Sequence, residues 1–129
     1  MAYIYKNVDD LDNSDLVGTH QCVPLIQHYG NVPMHSIWKQ GKAVKGNLMI
    51  VKGTAIATFV NGKYPNHGHN NHAGFYISQD AGGIWVVDQW NDPIKKPKVS
   101  KRYIRSKGKW VNGTFVDPSN NADAYSIIE

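Results

Sequence analysis

Three short stretches constrain this chain more than anything else in it: "GTAIATFV" (residues 53–60), "HAGFYIS" (72–78) and "IWVVDQW" (84–90). Each is rich in β-branched and aromatic residues and is bounded by turn-forming ones, so each is predicted as a strand. The turn "QDAGG" joins the second to the third. Upstream, "CVPLIQHYG" (22–30) spaces Val23, Ile26 and Tyr29 three apart and ends on a glycine, which predicts a helix. Proline is tolerated only in a helix's first turn, so Pro24 places Cys22 at or just before the helix N-terminus. Downstream, "KRYIRS" and "KWVNGTFV" suggest two more short strands, the second broken near Asn112–Gly113, and the tail "DAYSIIE" an edge strand. Residues 1–15 read as an irregular arm with one short helical turn, 31–53 as mixed, and "NGKYPNHGHNN" as a loop. One helix followed by an antiparallel meander is an α+β fold, and 129 residues fit one domain over 1–129.

A single cysteine excludes an intramolecular disulfide framework, so the fold must stand on packing. The N-terminus carries Asp9, Asp10 and Asp12 where a secretory signal needs an apolar run, and nothing approaches the ~20 apolar residues of a membrane span. The expectation is a chain made in the cytoplasm that does not insert into membranes. The net charge of +4 favours anionic partners. Its basic run, "KKPKVSKRYIRSKGK" (95–109), reads as a solvated face and lacks the motif of a nucleic-acid module, so no nucleic-acid partner is expected.

Cys22 has two readings: a small buried hydrophobe, or a nucleophile. The polar flank "GTHQC" suits the second. A helix N-terminus lowers a thiol's pKa, and its unpaired N–H groups can hold an oxyanion, with the side chain of Gln21 as a further donor. A thiol nucleophile needs a base and a group to orient that base. His72 opens a strand after a polar loop, on a face with Gly74, Tyr76 and Ser78, while Ala73, Phe75 and Ile77 face the core. The orienting group should come from the next strand. A two-residue turn would put Gln89 and Asn91 on the face of His72; a three-residue turn would put Asp88 and Trp90 there. A carboxylate holds an imidazolium better, so Asp88 is favoured.

His67, His69 and His72 nearly match the HxHxDH run of metallo-β-lactamase-like hydrolases, with Asn71 where the aspartate belongs. No histidine follows His72 to complete such a site, so no metal and no cofactor is expected, and His67 and His69 are read as lining a cleft entrance. Trp85 and Trp90 fall on opposite faces of one strand, so one of them is exposed and available to stack on a ligand.

The order helix-borne "QC", strand "GTAIATF", strand "HAGFYI", strand "VVDQWN" resembles the papain-like cysteine amidases of the CHAP and NlpC type. More closely, the blocks "GTHQCVPLIQ", "KGTAIATFVNGKYPN" and "HAGFYISQDAGGIWVVDQW" resemble the second family of type VI secretion amidase effectors, over roughly residues 16–106. The resemblance implies a papain-like fold and a peptidoglycan amidase injected into a rival bacterium's periplasm. There it would cut peptide stems, at the cross-link between D-alanine and meso-diaminopimelate. It also implies a cognate immunity protein as partner, Cys22 as nucleophile, His72 as base and Asp88 as third residue. Gln21 and Trp90 are the expected substrate-binding residues, and a monomer is expected. The rival readings are a phage-type or housekeeping wall hydrolase, a non-catalytic wall-binding module using exposed aromatics, and a zinc hydrolase built on the histidine loop.

Overall fold

A computed structural model describes residues 1–129. Its one α-helix, α1, spans Cys22–Gly30, with Pro24 in the first turn, where a missing N–H breaks no intrahelical bond. The helix is closed by Asn31, in the left-handed region at φ 55°, rather than by the glycine before it. Gly30 serves packing instead. A Cβ there would lie 3.1 Å from the Phe75 ring, so the glycine lets α1 settle onto the sheet. No helix is long and apolar enough to cross a membrane.

Six antiparallel strands follow: β1 (Gln40–Ala43), β2 (Ala55–Thr58), β3 (Ala73–Asp80), β4 (Gly83–Asp88), β5 (Ser100–Arg105) and β6 (Tyr125–Ile128). They form one sheet in the order β1-β6-β2-β3-β4-β5. Three sequence expectations change here. The tail strand β6 is interior, paired with both β1 and β2, because its four residues are all buried and need cover on both sides. The edge on that side is β1, whose "QGKA" is too polar to signal a strand and suits an edge that faces water, and β5 is the edge on the other side. "KWVNGTFV" forms only an isolated bridge between Lys109 and Phe115, and its turn leaves Trp110 and Val111 exposed.

Alternation along the strands buries both faces. On the helix side, Ala55, Ala57, Ala73, Phe75 and Val87 pack against Leu25 and Ile26 of α1. Val8 and Leu11, from a short 3-10 turn in the N-terminal arm, join the same cluster. On the other side, Ile56, Tyr76, Ile84, Val86, Ile104, Tyr125 and Ile127 form a second core. Tyr76, expected on a small polar face, is buried in this second core. Each such large apolar side chain contributes about 1.5–3 kcal/mol when buried.

The β3–β4 hairpin settles the register that the sequence leaves open. The turn closes with two residues, Asp80 pairing with Gly83, which by itself would put Gln89 and Asn91 beside His72. A bulge intervenes. Ser78 pairs with Trp85 but Tyr76 pairs with Val86, so Ile77 is an extra residue and the register shifts by one. Beyond the bulge, Asp88 returns to the face of His72.

Candidate active site

Cys22 is the first residue of α1, and its thiol is only partly exposed. His72 immediately precedes β3 and is pinned to β2. Its N–H donates to Thr58 Oγ1 at 3.1 Å, and its carbonyl accepts from the Thr58 N–H at 3.0 Å. Asp88, the last residue of β4, is fully buried and reaches His72 Nε2 through Oδ2 at 2.8 Å. The strand between them makes room: a Cβ on Gly74 would sit 2.9 Å from the Val87 carbonyl and 3.2 Å from the Asp88 Cβ. Cys22, His72 and Asp88 thus meet where the helix start and two strand ends converge. Gln89 and Asn91, the amide alternatives, do not take the place of Asp88. Gln89 is buried on the opposite face and Asn91 is exposed.

Two cations hold Asp88 in addition to His72. Lys96 Nζ lies 2.9 Å from Oδ1 and Arg102 Nε 2.9 Å from Oδ2. Lys96 is itself only 4 % exposed. The basic run is therefore not wholly a solvated face: two of its members are turned inward by this carboxylate. Burial alone would raise the pKa of Asp88, but His72, Arg102 and Lys96 together hold it well below the usual carboxylate range. Burial alone would lower that of His72, but the bond to Asp88 and the neighbouring Cys22 raise it to about 9. Burial pushes the Cys22 thiol up, yet His72, the Tyr64 hydroxyl and the backbone of Ala73 outweigh it and bring it below its ordinary value. These shifts favour an imidazolium–thiolate pair at neutral pH, which is the reactive form of a cysteine nucleophile.

The thiol opens onto a cleft of about 490 Å³. Gln21 and Trp90, the expected substrate-binding residues, both line it, as does the loop carrying His67 and His69. The side chain of Gln21 makes no capping bond to its own helix, so it is uncommitted beside Cys22. Trp90 meets His72 edge-on, with ring centroids 6.1 Å apart, and Lys96 and Arg102 lie 4.7 and 5.2 Å from its ring. Its indole therefore shields the charged cluster as well as facing the cleft. Trp85, at 42 % exposure, is the outward partner of the pair, with its ring tilted against Tyr103 at a centroid distance of 5.2 Å. No group of three or more His, Cys, Asp or Glu side chains is placed to hold a metal ion.

Four contributors escape a reading by motif. Tyr64, at 3.5 Å from Cys22 Sγ, lies in a turn-rich loop and is distinguished there only as its sole aromatic. Asn71 supports it through a 3.4 Å bond to the Tyr64 hydroxyl. Lys96 and Arg102 are hidden among six other lysines and arginines in residues 95–109, and only the position of the carboxylate selects them.

Comparison with known proteins gives the family and the fold. The family model described as domesticated amidase effector 2 matches residues 3–128. A type VI secretion amidase effector 2 protein of Salmonella typhi is 56 % identical over the full length of both chains. A domesticated amidase effector 2 of Ixodes scapularis is 35 % identical, covering 88 % of this chain and 73 % of its own. A solved structure of type 6 secretion amidase effector 2 superposes with a TM-score of 0.93 at 56 % identity, covering 98 % of this chain and 94 % of the other. The fold is thus α+β and papain-like, with a helix bearing the cysteine packed on an antiparallel sheet.

Proposed function

Since the chain belongs to the domesticated amidase effector 2 family and is an amidase, we propose that it is a cysteine-dependent peptidoglycan endopeptidase delivered by type VI secretion. The observation that carries this reading is the convergence of Cys22, His72 and Asp88 at the floor of a polar cleft. In the proposed reaction, the Cys22 thiolate attacks a stem-peptide carbonyl and forms a C–S bond as the carbonyl oxygen takes the negative charge. The N–H of Cys22 and the side chain of Gln21 hold that oxyanion. Collapse of the intermediate breaks the C–N bond, and the His72 imidazolium gives its proton to the leaving amine. Water then attacks the thioester, His72 accepts the proton, and the thiolate is regenerated. Asp88 keeps the imidazole oriented and its charge balanced throughout.

The bond cut is that between D-alanine and meso-diaminopimelate, and the site of action is a target cell's periplasm. A cognate immunity protein that covers the cleft is the partner, and the enzyme acts as a single-domain monomer. Mass analysis of muropeptides from purified diaminopimelate-type sacculi tests the reading. It predicts loss of D-alanine–diaminopimelate cross-linked dimers and a gain of monomers. Binding to sacculi with unchanged peptide fragments would instead mark a non-catalytic wall-binding module.

A further inference from the structure

The dipeptide Asp88–Gln89 ends β4 with side chains on opposite faces. Asp88 turns to His72. Gln89, which is fully buried, turns to the other side and engages the loop that carries Cys22. Its Oε1 accepts from the Val17 N–H at 2.9 Å, and its Nε2 donates to the carbonyls of Val17 at 2.9 Å and Gln21 at 2.7 Å. Gln21 is the residue from which α1 starts. The loop so held is not a relaxed one. His20 has a φ of 72° and Gly18 a φ of 59°, and a Cβ on Gly18 would come within 3.0 Å of Pro24. Left-handed backbone at a residue other than glycine persists only where its surroundings over-determine it.

We propose that Gln89 is a positioning residue for the nucleophile. Its amide fixes the Val17–Gln21 loop to β4, and so fixes Cys22 and the N–H groups at the start of α1 relative to His72. One strand end thereby sets both members of the pair, the imidazole through Asp88 and the thiol through Gln89. The inference rests on the reading of Cys22 as nucleophile, which Cys22→Ala tests independently.

Two variants separate positioning from mere packing. Gln89→Met keeps length and volume without the amide. Gln89→Glu keeps the acceptor for Val17 and loses both donors. Each is assayed for kcat and KM on muropeptide dimers and for the pH profile of Cys22 alkylation by iodoacetamide, with thermal unfolding alongside. The expected result is a fall in kcat of ~10–100-fold with KM within ~3-fold, and slower alkylation at neutral pH. A folded variant with wild-type kcat and a wild-type alkylation profile, altered only in melting temperature, overturns the proposal. Should neither variant fold, hydrogen exchange in the unaltered protein decides. Gln89 side-chain amide protons that exchange as slowly as the β4 backbone amides support the clamp, and rapid exchange overturns it. Loss of the clamp with Cys22→Ala still inactive would leave the nucleophile assignment standing.

Discussion

Asp88 is the most heavily shared side chain of the proposed site. One buried carboxylate is shared by an imidazole, a lysine and an arginine, all at 2.8–2.9 Å. Removing it leaves Lys96 buried without its counter-ion, so Asp88→Ala is expected to cost roughly 3–5 kcal/mol in denaturant unfolding. Asp88→Asn is the gentler probe. Asp88, with Cys22, raises the pKa of His72 to about 9, so the asparagine variant's alkaline limb of kcat/KM should move to lower pH, which a pH–rate series measures. Stability carries a second signature. A raised His72 contributes stability that is complete below 6.5 and lost as pH rises through about 9. A lowered Cys22 contributes in the opposite sense, gaining as pH rises toward its unfolded value of 9.0. An imidazolium–thiolate pair binds as many protons as the neutral pair of the unfolded chain, so wild-type stability should change little between pH 6.5 and 9. Cys22→Ala removes one side of that balance. Its stability should fall over this window, and a flat profile for both proteins would contradict the ion pair.

At the scale of elements, the sequence was most legible where periodicity and a hard steric rule coincide. Pro24 fixed the start of α1, and β-branched runs marked β2, β3 and β4. It was least legible where one residue outweighs a pattern. The choice between Asp88 and Gln89 turns on the Ile77 bulge, and an extra residue leaves no trace in hydrophobic alternation over so short a strand. Strand β1 is silent because an edge strand need not be apolar, and β6 reads as an edge because order along the chain does not give order in the sheet. Tyr64, Lys96 and Arg102 join the site through tertiary placement alone. The packing of β3 on β4 offers its own test. Gly74→Ala would set a methyl 2.9 Å from the Val87 carbonyl and 3.2 Å from Asp88 Cβ, and backbone cannot yield as a side-chain tip can. The expected outcome is a loss of about 1–3 kcal/mol in stability. A fall in kcat should accompany it, because the strain bears on the residue that orients His72.

For the whole molecule, an amidase architecture is combined with a net positive charge. The charge of +4 attracts an anionic wall polymer over distances beyond contact, and salt screens that attraction with a Debye length of ~8 Å at physiological ionic strength. The cluster at Asp88 is buried and is screened far less. Raising ionic strength should therefore raise KM on intact sacculi and leave kcat on small soluble muropeptides nearly unchanged. In the proposed mechanism the Asp88 cluster and the Gln89 clamp both serve the thiolate of Cys22. Muropeptide release by purified Cys22→Ala, set beside wild type at matched folded concentration, tests it most directly. A loss of at least ~10³-fold in kcat with the fold intact is the predicted result; release at an undiminished rate would contradict it.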